Sequence, residues 1–513
     1  MAMKDKIFTN KASQITSLKG KWATLNSKEM EIQWKTIPWK TIEERVNKLQ
    51  SRITKAITEG KVGLAKKLQY LLTNSFFAKL LAVRKVTNNK GKNTAGIDKR
   101  TWNTPGSKFK GALALKSKGY SSNPLRRTYI EKKGKKKKRP LGIPTMHDRA
   151  MQALHAMALD PIAEATADKV SFGFRKRRST KDAATHIFRY LRLSNSAQWI
   201  LEGDIKGCFD NINHQWMLKN IPMDKRTLKQ FLKAGFVYQK KLFPTEQGTP
   251  QGGIISPILA NMTLDGIEGK IKSKYWTNKK GTIDRDYNKH KVNYTRYADD
   301  FIVTAESKEI LHEIKQMISD HLKERGLMLS EEKTLITHVD QGFDFLGWNF
   351  RKFRGTLIIR PSDASLKNIS DKIRTTIESY RSAKQEYLVR KLNPIITGWC
   401  NYHRSVAAKE AFSKLDNTAF NSLWKWAKRR HPNKPMKWIK DRYWKKTNNR
   451  DWIFRDGKVT LKFATNTKII RHLLIKFDAN PYLLTDKLYY TAREKQRKNW
   501  KSKHAANTIE TVG

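Results

Sequence analysis

The tetrapeptide Tyr297-Ala-Asp299-Asp300 stands between two β-prone stretches, Tyr294-Thr-Arg-Tyr297 before it and Phe301-Ile-Val-Thr304 after it. That pattern folds as strand, tight turn and strand, with two carboxylates forced to the tip. Adjacent acids on a turn are usually just solvated. Here the flanking strands are apolar enough to be buried, so the acids need a partner, and a divalent cation is the natural one.

A further carboxylate, Asp204, ends the apolar run Gln198-Trp-Ile-Leu-Glu-Gly and precedes Ile-Lys-Gly-Cys-Phe-Asp210. Phosphoryl transfer to a 3′-hydroxyl uses two metal ions about 3.5–4 Å apart, bridged by carboxylates from neighbouring strands. Hard oxygen ligands, with water and substrate phosphates completing the shell, suit magnesium. Asp204 and Asp299 are therefore the candidate ligands of two Mg2+ ions, with Asp300 in support. Between the acids lies Gln247-Gly-Thr-Pro-Gln-Gly-Gly-Ile-Ile-Ser-Pro257, a loop entering the helix-prone run Ile258-Leu-Ala-Asn-Met-Thr-Leu264. Alone it reads equally as an ordinary turn. In this order it lets backbone approach a nucleotide or template closely.

Charge names the class of partner. Lys and Arg number 104 against 46 Asp and Glu, a net +58. Self-repulsion on that scale opposes folding, so it normally exists to meet a polyanion, and the 15 tryptophans point to nucleic acid. No lipidation signal or amphipathic basic anchor stands out, and no membrane partner is expected. The two cysteines, Cys208 and Cys400, cannot build a disulfide framework or a zinc cluster. With no signal peptide and no apolar run approaching about 18 residues, a soluble, intracellular protein is expected.

The 513 residues leave room for three or four domains. Residues 1–85 read as helical: Thr41 and Glu44 form a capping box before Ile42, Val46, Leu49, Ile53 and Ile57, and Gly60 is the stop. An irregular basic region with short helices follows. Glu131–Arg139, containing Lys135, Lys136 and Lys137, reads as the solvated or phosphate-contacting tip of a hairpin between Thr128–Ile130 and Pro140–Pro144. Helical periodicity covers Asp148–Ala167. Strands are expected at Trp199–Leu201, Val292–Tyr297, Phe301–Thr304 and Phe343–Trp348, with helices between. Beyond Pro361 the pattern is helical again, with Leu366, Ile369, Ile373, Ile377 and Tyr380 on one face. The last 85 or so residues are basic and Trp-rich.

Asp204–Ile212, Gln247–Pro257 and Tyr297–Asp300 resemble, in order and spacing, the three palm motifs of reverse transcriptases. Arg139-Pro-Leu-Gly-Ile-Pro144, Ser171-Phe-Gly-Phe-Arg175 with Ser179-Thr180, Leu329-Ser-Glu-Glu-Lys-Thr334 and Gly342-Phe-Asp-Phe-Leu-Gly347 narrow the resemblance to group II intron reverse transcriptases. It runs from about residue 30 to about 490. The resemblance implies an α/β (α+β) right-hand polymerase: a helical extension (1–85), fingers (86–200), palm (201–355), helical thumb or domain X (356–415) and a basic DNA-binding and maturase region (416–513).

It also implies roles. Asp204, Asp299 and Asp300 would be the catalytic acids. Phe209 would stack under the sugar and exclude a 2′-hydroxyl, unless it is a core Phe. Arg139 and Arg149 would contact the incoming dNTP triphosphate, Gln251 would line its pocket beside Pro250, and Lys333 would serve as an acid near the pyrophosphate, unless it is a surface lysine. Phe343, Leu346 and Gly347 would form the primer grip. Leu392–Trp399 with Asn401-Tyr402 resembles domain X, and Trp424–Asn433 with Trp438-Ile439 resembles the segment after it. Trp399, Lys428, Arg429 and Arg430 are the expected RNA and DNA contacts, where aromatic planes beside cations suit unpaired bases; the alternative is a Trp-rich core with basic faces.

The implied partners are a group II intron RNA, target DNA and a primer. The implied setting is a bacterial cytoplasm, with the nucleoid when DNA is bound. Many relatives end in an endonuclease domain with histidines and paired cysteines. This chain has no cysteine after Cys400 and runs some 23 residues beyond Tyr490. His403 and His431 are therefore not expected to be nuclease ligands. No bottom-strand cleavage is expected either, and a nascent strand at a replication fork would serve as primer. The rival readings are a maturase that has lost polymerisation, a domesticated defence reverse transcriptase and a basic scaffold protein. The intact acids argue against the first and third, and the domain X signals against the second.

Overall fold

The computed structural model describes residues 25–131, 138–447, 450–457 and 459–506, the side chains of 447 and 497–506 excepted. Lys135, Lys136 and Lys137 lie outside the described residues.

The N-terminal helices pack around one another. Asn26 caps the helix Ser27–Lys35 through a reciprocal box with Glu29. The next helix, Trp39–Thr58, begins two residues before the expected Thr41–Glu44 box, which falls inside it. Pro38 occupies the cap, and Trp39 is fixed by an edge contact with Trp34 and by the Arg84 guanidinium 4.5 Å above its ring. Its expected apolar face is real: Ile42, Val46 and Ile53 are buried, and Gly60 takes a left-handed φ of 70° just past the end. These helices close on Met146–Thr166, which is buried along most of its length.

The strands are β1 (Leu125–Ile130), β2 (Arg139–Ile143), β3 (Trp199–Asp204), β4 (Phe236–Tyr238), β5 (Lys241–Phe243), β6 (Asn293–Tyr297), β7 (Asp300–Ala305), β8 (Leu335–His338), β9 (Phe343–Phe345), β10 (Trp348–Phe353), β11 (Thr356–Pro361), β12 (Trp444–Thr447), β13 (Arg450–Asp456) and β14 (Val459–Thr460). They form sheets ordered β2-β1-β4-β5, β6-β7-β3-β8, β11-β10-β9 and β12-β13-β14. β1 and β2 pair from Arg126↔Ile143 out to Ile130↔Arg139, the hairpin expected around the basic run. β3 is the centre of the second sheet, antiparallel to both β7 and β8. The helix Lys308–Lys323 packs against β3 and β7, and Thr180–Leu191 against β6.

One expected strand, Phe343–Trp348, is two. Leu346 and Gly347 both adopt left-handed φ (52° and 79°), which reverses the chain in a two-residue hairpin and pairs Phe345 with Trp348. The apolar alternation is the same on both arms, which hid the turn.

After β11 come the helices Asp363–Ser379, Gln385–His403 and Lys409–Arg430. Ile369, Ile373 and Ile377 are buried as the periodicity expects, in one core with Leu388, Leu392, Phe412 and Leu423. The basic, Trp-rich C-terminal region is only partly helical. Its small β12–β14 sheet gathers Phe420, Trp424, Trp444 and Trp452 into one aromatic cluster with centroids 5.1–6.3 Å apart. The chain then straps back across the molecule: His472, the Ile475 amide and Arg493 all donate to buried Asp182 at the start of Thr180–Leu191. Among the described residues no helix is long and apolar enough to cross a membrane.

Candidate active site

Asp204 is the last residue of β3 and Asp300 the first of β7, and the register sets them directly opposite. Facing residues in an antiparallel pair point their side chains to the same face, about 4.5–5.5 Å apart at Cβ. Asp299 sits in the turn between β6 and β7, immediately after Ala298, whose φ is 59°. The sequence thus brings all three acids to one end of one sheet.

Residues that the motif reading passed over hold this turn. The segment 170–172 runs parallel to the outer edge of β6: the Arg296 amide donates to the Val170 carbonyl, and the Phe172 amide donates to the Arg296 carbonyl. Gly173 then abuts the turn. A Cβ on it would lie 2.2 Å from the Ala298 amide nitrogen, so no larger residue fits without moving backbone. The Arg296 side chain is fully buried beneath. It donates to Asn261 Oδ1 (3.2 Å) and to the Ala298 carbonyl (3.3 Å), and it pairs with Asp265. Burial is the largest single influence and opposes its charge, but Asp265, Tyr294 and Asp168 together outweigh it and hold the pKa above the ordinary value. Asn261 closes the circuit by donating to the Gly173 carbonyl at 2.8 Å. Arg296 and Gly173 lie inside or beside quoted motifs; an Arg in a β-prone stretch three residues before Asp299 was the available signal.

The Gly-rich loop is stapled to the chain after Asp204. Gly248 and Thr249 donate their amides to the carbonyls of Ile212 and Phe209, both at 2.7 Å, and His214 bonds the Gly248 carbonyl. A Cβ on Gly248 would meet Asp210 backbone at 2.4 Å. Gln251 donates to both Asp210 carboxylate oxygens (2.9 and 2.8 Å) and accepts from Arg139 Nε (2.7 Å). Two residues singled out for the nucleotide, Arg139 and Gln251, therefore touch each other and span from the β1–β2 hairpin to the loop. Phe209 is half-buried, edge-on to exposed Phe174 at 6.1 Å.

Lys333 reaches the acids: its ammonium donates to Asp204 Oδ2 at 2.6 Å, and that bond raises its pKa. Burial pushes the Asp299 pKa up, with repulsion from Asp204 added. Burial also raises Asp300, reinforced by Asp299 and Asp204. Among the described residues no three His, Cys, Asp or Glu side chains close into a ligand cage. The donor set nonetheless fits a hard divalent cation that keeps most of its shell for water and substrate: partly desolvated carboxylates at adjacent strand ends repel one another, which a cation between them would relieve.

Other expected residues lie apart. Arg149 is buried and spent on the carbonyls of Pro144, Gly91 and Thr94, tying the 90–94 turn to the helix Met146–Thr166 rather than facing the acids. Phe343 is buried and stacked on Phe350. The Leu346 carbonyl accepts from Tyr402 at 2.8 Å, and Trp348 stacks on Tyr402 at 4.7 Å, so the Phe343–Gly347 hairpin is docked on Gln385–His403. Trp399 is half-buried, bonded to Ser365 and packed on Phe412. Lys428, Arg429 and Arg430 are exposed at the end of Lys409–Arg430, with Arg430 bonded to the Arg381 and Ala383 carbonyls. His403 bonds Ser365, and His431 bonds Tyr443.

Comparison with known families gives three adjoining matches. Residues 34–115 match the N-terminal domain of reverse transcriptase, 130–350 match reverse transcriptase (RNA-dependent DNA polymerase), and 366–444 match the group II intron maturase-specific domain. The chain is similar to the group II intron-encoded protein LtrA of Lactococcus lactis subsp. cremoris, 32% identical over 424 residues that span 65% of this chain and 69% of that protein. It is 31% identical over 342 residues to protein YkfC of Escherichia coli (strain K12), covering 59% of this chain and 87% of that one. The putative COX1/OXI3 intron 1 protein of Saccharomyces cerevisiae is 28% identical over 318 residues, 53% of this chain and 38% of its own length.

Proposed function

The chain belongs to the group II intron reverse transcriptase and maturase family, and from that premise we propose that it copies a group II intron RNA into DNA and assists that RNA's splicing and its reverse splicing into target DNA. The observation that carries the polymerase half is the facing of Asp204 and Asp300 across β3 and β7, with Asp299 in the adjoining turn. Its domains are those of a right hand, with the boundaries read from sequence.

Asp204, Asp299 and Asp300 would hold two magnesium ions, which supply Lewis acidity at the attacking 3′-oxygen and the departing pyrophosphate. The chain's own groups do the rest. Arg139 and Gln251, already bonded to each other, present a guanidinium and an amide to the incoming triphosphate and base. Phe209 lies under the sugar and excludes a 2′-hydroxyl. The Lys333 Nζ, kept protonated by Asp204, is placed to give its proton to the leaving pyrophosphate. The Phe343–Gly347 hairpin positions the primer end, and its docking on Tyr402 couples that position to the helices that follow. Lys428, Arg429 and Arg430 meet phosphates of the intron RNA or target DNA.

The test pairs two assays on the full chain: magnesium-dependent extension of a DNA primer on an RNA template with dNTPs, and acceleration of splicing of a precursor containing the intron. Both activities are expected. Splicing support without extension would leave a maturase alone; extension without splicing support would remove the intron partner.

A further inference from the structure

The outer edge of β6 opens onto a cavity of about 210 Å³ that the polymerase chemistry does not use. It lies between the helices Thr180–Leu191 and Ile267–Tyr275, beyond the point where residues 170–172 stop pairing with the strand. We propose that this cavity is a binding site for a single unstacked nucleobase carrying a phosphate, supplied by an extruded nucleotide of bound RNA.

Three features converge on that ligand. The walls are planar rings: His186, Tyr190, Trp276, Tyr294 and Phe477. His186 meets Phe477 and Tyr190 edge-on at 4.9 and 5.1 Å, so the rings are fixed by one another rather than free to collapse inward. Phe477 comes from the C-terminal strap, so the strap completes the site. At 210 Å³ the space is smaller than the roughly 300–1,000 Å³ of drug-sized sites and suits one planar ring system.

The strand edge supplies the readout. Arg296 turns its N–H outward to the Val170 carbonyl and its C=O outward to the Phe172 amide. With β6 and β7 paired in unbroken register, the alternation of an antiparallel strand turns the Tyr294 N–H and C=O outward too. A backbone donor and acceptor one residue wide is the complement of a base edge. Beside it, the His186 ring bonds the Thr295 hydroxyl through Nδ1 at 2.8 Å, and Nε2 is left for a ligand. Burial keeps that imidazole neutral, with Lys272, Arg189 and Arg285 adding to the effect.

The mouth supplies the charge. Lys169, Arg189, Lys272 and Arg285 ring the opening; Lys169 pairs with Asp478 and Lys272 with Glu268, while Arg189 and Arg285 stand exposed. A base inside with its phosphate at the mouth satisfies rings, edge and cations together, which is how proteins read splayed-out nucleotides of structured RNA. A free nucleotide has the same chemistry, and the test separates the two.

The experiment uses the full chain. Ultraviolet crosslinking to a structured RNA substituted with 5-iodouridine, mapped by mass spectrometry, is expected to label Tyr190, Trp276 or Phe477. Competition by AMP, CMP, GMP, UMP and inorganic phosphate is measured alongside. The double variant Arg189→Ala with Arg285→Ala alters only exposed side chains and should reduce the crosslink while primer extension is unchanged. Trp276→Ala should weaken binding roughly 5- to 150-fold, the range of base–aromatic stacking. Saturable binding of a nucleoside monophosphate without an RNA crosslink assigns the site to a free nucleotide. Inorganic phosphate competing as well as AMP, or no binding of RNA or monophosphate at these residues, overturns the proposal. The site can fail with extension intact, so its failure is distinguishable from failure of the polymerase reading.

Discussion

Lys333 Nζ stands 2.6 Å from Asp204 Oδ2, so the ammonium holds the carboxylate to which a metal ion would be drawn. Sequence alone left this lysine between a proton donor and a surface residue; its contact puts it among the acids.

That contact predicts a split effect. Lys333→Met removes the ammonium that occupies Asp204 and, on the proposed mechanism, a proton donor. The magnesium concentration giving half-maximal primer extension should fall, while kcat falls by about 10²-fold or more. A magnesium titration of both proteins checks this; unchanged values in both would return Lys333 to the surface.

Gly173→Ala should disable the turn from outside it. The new Cβ would meet Ala298 backbone, which Arg296 holds from the other side, while Asn261 pins the Gly173 carbonyl itself. Overpacking of this kind costs about 1–3 kcal/mol, and displacement of Asp299 should remove most extension activity while RNA binding persists. Thermal denaturation and extension, measured together, separate the two effects.

Stability should fall in acid through buried neutral histidines. Burial pushes His155 down to about 4 and His321 to about 3, from an ordinary 6.5. Below 6.5 the unfolded chain takes up these protons and the folded chain does not. Their contribution is therefore complete above 6.5 and is lost as pH falls toward 4 for His155 and toward 3 for His321, at about 1.4 kcal/mol per unit per group. His321, with neither ring nitrogen bonded, offers the cleaner test. Denaturant midpoints between pH 7.5 and 5 should drop less steeply in His321→Leu than in wild type; equal slopes would refute the linkage.

The exposed cations at the end of Lys409–Arg430 should act through phosphate contact. Lys428→Ala with Arg429→Ala should weaken binding of different RNAs alike and reduce the slope of log affinity against log salt by about 1–2. Arg430 also bonds two carbonyls, so Arg430→Ala should in addition lower the melting temperature.

What the sequence carried, and what it did not, divides along a physical line. Alternation and helical spacing are local, and they located the β6–β7 hairpin, the helix from residue 146 and the buried face of Ile369, Ile373 and Ile377. The Leu346-Gly347 reversal was missed because a two-residue turn leaves period-two alternation unbroken. The Thr41–Glu44 box was misplaced because the helix start is set by tertiary packing of Trp39. The supports of the site, Arg296 on Asp265 and Asn261 on Gly173, join residues 31 and 88 positions apart, and no local pattern records such a pairing. For the same reason the strap that brings His472 and Arg493 to Asp182 was not legible.

The most direct measurement is primer extension on an RNA template by wild type and Asp299→Ala, with RNA affinity measured on both. Extension by wild type, loss of it in the variant and equal RNA affinity are predicted, because the proposed two-metal site would lose one ligand and no proposed RNA contact is touched. Extension that survives in Asp299→Ala would contradict the account at its centre.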